Sequence, residues 1–127
     1  MRLIKTTAVA IALSGGLLMS TFAQAHPKLL SSIPEEGAHG AAPGKIELHF
    51  SENLVTQFSG AKLVMTEMPG MAHSPMPMKV KVSGGSDPKT MVITPLSPLP
   101  AGSYKVEWRA VSSDTHPITG NVSFKVK

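Results

Sequence analysis

Asp114-Thr115-His116 offers one carboxylate and one imidazole two residues apart, and in an extended segment positions i and i+2 point the same way. A third residue, His26, draws its potential from what precedes it. Ala23-Gln24-Ala25 fits the small-x-small rule for signal peptidase, so cleavage there makes His26 the first residue of the mature chain. An N-terminal histidine supplies two nitrogens to one chelate, its α-amine and its ring Nδ1. Pro27 has no amide N–H for a metal to displace, so the remaining equatorial positions must come from elsewhere in the fold. Together His26, Asp114 and His116 form an N,O donor set that suits tetragonal Cu(II), which also heads the divalent affinity series. Glu52, in Phe50-Ser51-Glu52-Asn53-Leu54, is a weaker candidate for an axial carboxylate or for a group behind the ligands. Each residue also has an ordinary reading. Asp114 and the His116-Pro117 pair suit a turn without any metal, and some residue must follow the cleavage site. His39, in a Gly/Ala-rich loop, and His49, on the solvent face of a strand, read as exposed side chains.

The second donor set is soft. The chain has no cysteine, which excludes a thiolate cluster, a zinc ribbon and a cysteine nucleophile. Of its 8 methionines, Met1 and Met19 belong to the leader, and Met65, Met68, Met71, Met76 and Met78 crowd into residues 65–78, MTEMPGMAHSPMPM. Met65, Met68 and Met71 have helical spacing, where methionine is usually core filler. Pro69, Gly70, Pro75 and Pro77 argue against a sustained helix, so the segment reads as an irregular surface loop. Thioether sulfur selects Cu(I) and forms no disulfide in an oxidising compartment. Met65, Met68, Met71, His73 and Met76 are thus the pool from which three or four atoms would bind Cu(I). Met78 enters the following strand and stands apart.

These donors need a rigid frame. Arg2 and Lys5, the apolar run Ala8 to Met19 and the cleavage motif make residues 1–25 a signal peptide, too short in its apolar part to span a bilayer. Residues 26–127 are then one domain in the periplasm. Period-two alternation marks Lys45 to Phe50, Lys79 to Val82, Ser103 to Ala110 and Val122 to Val126 as strands, and Leu63 to Thr66 and Met91 to Thr94 are β-prone runs. Pro and Gly punctuate them, and no long helical repeat survives, which points to an antiparallel β-sandwich or small barrel with Trp108 as a core anchor. Losing Arg2 and Lys5 lowers the formal charge by two from +4, and the remaining basic residues are scattered, so no nucleic-acid footprint is present.

With its His26-Pro27 start, HFSENL at 49–54, the Met/His segment at 65–78 and WRAVSSDTHPITG at 108–120, the chain resembles the CopC/PcoC-type periplasmic copper-resistance proteins over its whole mature length. The resemblance implies an all-β Greek-key sandwich, cupredoxin-like or immunoglobulin-like, of about seven strands. It implies a Cu(II) site matched by His26, Asp114 and His116, with Glu52 less securely assigned. It also implies a Cu(I) pool matched by Met65, Met68, Met71, His73 and Met76, near the opposite end. The expected function is a copper carrier or buffer in copper resistance and homeostasis, working beside other periplasmic or membrane copper proteins. No catalytic step is required. The expected state is a monomer, with copper able to bridge two molecules by joining one Met segment to another His26 site. An oxygenase of the histidine-brace type shares the N-terminal histidine, but Asp114 would occupy the position that oxygen chemistry needs open. A plain adhesion or structural module explains the strands and neither donor set.

Overall fold

A computed structural model describes residues 26–127, with residues 71–74 described through their backbone only. The expected signal peptide, residues 1–25, lies outside the described residues. Nine strands, and no helix, are found among the described residues: β1 (Leu29–Ile33), β2 (Ala38–Gly40), β3 (Ile46–Phe50), β4 (Gly60–Met68), β5 (Met71–Met78), β6 (Val80–Gly84), β7 (Thr90–Pro95), β8 (Gly102–Val111) and β9 (Pro117–Val126). They form two sheets, ordered β1-β3-β7-β6 and β2-β9-β8-β4-β5. The all-β sandwich is as expected, and the strand count rises from about seven to nine. The additions have identifiable causes: β2 is a three-residue strand pairing in parallel with β9, and β5 carries the prolines that suggested a loop.

Alternation in the strands becomes burial in the sandwich. Along β3, Ile46, Leu48 and Phe50 are buried while Glu47 and His49 remain half-buried on the outer face. Along β8, Tyr104, Val106, Trp108 and Ala110 point inward together. Phe50 meets Trp108 edge-on with ring centroids 5.1 Å apart, and Tyr104 stacks on Phe124 at 5.5 Å. Burial pushes the Tyr104 phenol pKa up, so it stays a neutral donor, and its hydroxyl donates to the Pro100 carbonyl at 2.5 Å. That bond ties the β7–β8 connection to the core, as a tyrosine corner does. Gly120 lies opposite Trp108 in the β8–β9 register, and a Cβ there would come within 2.4 Å of Trp108 Cζ2. The missing side chain at 120 is the space that the indole fills.

Residues 65–78 are not an irregular loop but a hairpin. Met68 pairs with Met71 across Pro69-Gly70, and Gly70 alone has a positive φ, +72°, the signature of a type II turn with proline at its first central position. Pro75 and Pro77 are tolerated because β5 is the outermost strand of its sheet, where a missing N–H removes no bond from a further neighbour. Only Lys79 separates β5 from β6, so the chain crosses there from one sheet to the other.

Candidate metal centre

The N-terminal segment is positioned before any metal is considered. Pro27 is fully buried, and residue 28 is clipped twice to Ser51: the Lys28 N–H donates to Ser51 Oγ and the Ser51 N–H to the Lys28 carbonyl, each at 2.9 Å. This fastens the chain just after His26 to the end of β3. Between β8 and β9 the connection is a tight turn, in which the Thr115 N–H donates to the Ser112 carbonyl at 2.9 Å. Thr115 has φ +65°, a left-handed conformation that costs a β-branched residue energy. The extended i, i+2 geometry expected for Asp114 and His116 is therefore corrected. A turn, not a strand, brings them to one side.

The two carboxylate oxygens of Asp114 have different partners. Oδ1 accepts from the His116 N–H at 3.2 Å and from the Ser112 hydroxyl at 3.3 Å. Oδ2 is left to face the histidines, 3.1 Å from His26 Nε2 and 3.6 Å from His116 Nδ1. The His26 and His116 rings lie with centroids 5.5 Å apart. Desolvation raises the Asp114 pKa, but the backbone N–H of His116, the His26 charge, the Ser112 hydroxyl and the His116 charge together outweigh it, and the net shift is downward. Among the described residues, His26, Asp114 and His116 are the one group of three such side chains whose donor atoms all lie within 4.8 Å of one another. Donors on opposite sides of a square site are about 4 Å apart, given metal–nitrogen bonds of about 2 Å. The three therefore need only a small inward movement to share one ion.

Glu52 is half-buried beside the Ser51 clip and stands outside this group. The ring atom that His26 turns to Asp114 is Nε2, not the Nδ1 that a chelate with the α-amine would use. His39 is exposed as expected, although it sits in β2 rather than a loop. His49 is half-buried: its Nδ1 lies 3.1 Å from Thr90 Oγ1, and its Nε2 3.4 Å from Glu47. Ser112 and Ser51 position the centre, and sequence reasoning passed over both. For Ser112 the signal was slight: it lies in the run Ser112-Ser113-Asp114, residue types that favour turns and local side-chain hydrogen bonds.

The methionines spread over a gradient of burial. Met65 is 2 % exposed and belongs to the core, which corrects its reading as a surface residue: β4 faces it inward beside Leu63. Met76, its register partner, is 49 % exposed, and Met68 and Met78 are half-buried against the core. Met71 and His73 lie on β5, Met71 opposite Met68 in register. This hairpin and the His26 group stand at opposite ends of β8. Ser103 pairs with Glu67 at one end and Val111 with Pro117 at the other, so a strand of this length separates them by roughly 30 Å.

Residues 29–127 match the family model described as the CopC domain. The chain belongs to the CopC family. Copper resistance protein C of Pseudomonas syringae pv. tomato is 73% identical over 125 residues, covering 98% of this chain and 99% of that protein. Among solved structures, the methionine-rich copper resistance protein PcoC from Escherichia coli aligns with TM-score 0.76 at 64% identity, covering 81% of this chain and 100% of that one. CopC from Methylosinus trichosporium OB3b aligns with TM-score 0.64 at 25% identity over 80% of this chain and 94% of its own. The CopC sandwich is thus shared even where identity is low.

Proposed function

We propose that this CopC-family chain is a periplasmic copper carrier or buffer serving copper resistance, with copper as its cargo rather than a resident cofactor. The observation that carries the reading is the convergence of His26 and His116 on one oxygen of Asp114, from opposite ends of the domain sequence. Two imidazoles and a carboxylate suit Cu(II), and copper-resistance relatives at high identity point to the same metal. Removal of residues 1–25 adds the His26 α-amine. Rotation of the His26 ring then brings Nδ1 to the side of that amine and completes the donor set, and Asp114 Oδ2 supplies charge neutralisation. Cu(I) belongs at the hairpin, with donors drawn from Met68, Met71, His73 and Met76; Met65, turned into the core, drops out of the expected pool. The rim residue Met76 is the most accessible of the thioethers whose side chains are described. A protein built this way takes up either oxidation state and releases copper when that state changes, with no substrate turned over.

Titration of the mature protein with each ion in turn is the test. We expect one equivalent of Cu(II) lost on Asp114→Asn and one equivalent of Cu(I) unaffected by it. Failure to take up either ion stoichiometrically would end the reading. Mass measurement of the exported protein, expected to begin at His26, checks the leader and the compartment together.

A further inference from the structure

Peroxide reaches a methionine sulfur only where solvent does, so exposure ranks the thioethers of a folded chain by reactivity. Tyr104, Met65 and Met76 are successive register partners across β8, β4 and β5 and form one row of the five-stranded sheet. Exposure climbs along that row from 1% at Tyr104 and 2% at Met65 to 49% at Met76 on the edge strand. Met91, in the other sheet, is also 2% exposed, and Met68 and Met78 are half-buried. The exposed Pro75 and Pro77 flank Met76 and contribute no N–H beside it. The rim position has a second consequence. A sulfoxide at Met65 would bury a polar oxygen in the core, whereas one at Met76 projects into water and leaves the packing intact.

We infer that Met76 is a reversible oxidation site through which peroxide-class oxidants weaken soft-metal binding at the hairpin while the sandwich stays folded. This rests on the Cu(I) reading proposed above. The sulfur lone pair attacks one peroxide oxygen, the S–O bond forms as the O–O bond breaks, and the departing hydroxide leaves as water by taking up the proton that the sulfur-bound hydroxyl gives up. The thioether loses two electrons and the peroxide gains them. The product presents a hard sulfoxide oxygen where a soft sulfur stood, and Cu(I) disfavours that donor. Reversal needs a sulfoxide reductase supplied with reducing equivalents.

The experiment treats the mature, metal-free protein with graded hydrogen peroxide. Added oxygen is located by peptide mass mapping, Cu(I) affinity is read by competition with a chelator, and the fold by thermal melting. Met76 should be oxidised at least about tenfold faster than Met65 or Met91, with a fall in Cu(I) affinity of about tenfold or more, an unchanged melting temperature and recovery on reductase treatment. Met76→Leu should begin with weaker Cu(I) binding and show no further loss at the peroxide dose that converts Met76 in the parent. Oxidation of Met65 as fast as Met76, or unchanged Cu(I) affinity after complete conversion of Met76, overturns the inference and leaves the hairpin reading standing. Absence of Cu(I) uptake by the untreated protein overturns that reading and this control with it.

Discussion

Asp114 is the residue on which the centre turns, because its two oxygens are held to different tasks. Ser112, 1% exposed, and the His116 N–H fix Oδ1, which aims Oδ2 at both imidazoles. Replacing Ser112 with Ala should cost about 1 kcal/mol of stability. It should also weaken Cu(II) binding several-fold with an altered Cu(II) spectrum, leaving Cu(I) uptake unchanged; an unchanged spectrum would show that Oδ1 needs no such restraint. The lowered Asp114 pKa has a definite sign in stability. Its ionised form is favoured in the folded state, so the contribution is present above the ordinary carboxylate value of 3.8 and disappears as pH falls through the lowered folded value. Metal-free Asp114→Asn should therefore melt below the parent near neutral pH and converge with it in strong acid. A constant gap across that range would contradict the charge-based account.

At the scale of single elements, two glycines make contrasting demands. Gly120 provides the space for Trp108, so Gly120→Ala forces the indole or the β8–β9 pairing to shift, with an expected cost of about 1–3 kcal/mol in chemical denaturation and a change in Trp108 emission. Gly70 has open space around it but a φ of +72°, so Gly70→Val strains the turn rather than the packing. That change should lower Cu(I) affinity through the hairpin while Cu(II) uptake stays at the parental value. Equal losses at both ions would mean that the turn supports the whole fold. The prolines of residues 65–78 rightly excluded a helix, yet they did not exclude a strand. Only the sheet order decides that β5 is an edge, where proline is tolerated.

Across the whole molecule, β8 is the spacer between the two donor groups. One residue added before His26 in the mature protein should sharply reduce Cu(II) affinity, because the α-amine moves away from the ring, and should leave Cu(I) binding untouched. Replacing Met68 and Met71 together with Leu should produce the opposite pattern. Cross-effects of similar size in either direction would show that the two ends do not act independently over roughly 30 Å.

Residue chemistry settled which donors exist. The small-x-small motif at 23–25 put His26 at an expected chain end, the absence of cysteine left methionine as the available soft donor, and strict alternation at 46–50 and 103–110 announced half-buried strands. β1 and β2 escaped notice because their partners, β3 and β9, lie far along the chain, and β5 because its prolines hid a strand that only an edge position permits. Which donors meet was likewise a tertiary matter. His26 reaches Asp114 because Pro27 is buried and residue 28 is clipped to Ser51. Met65 leaves the surface set because β4 faces it inward. Both follow from packing and hydrogen bonds between distant segments, which local sequence patterns do not specify.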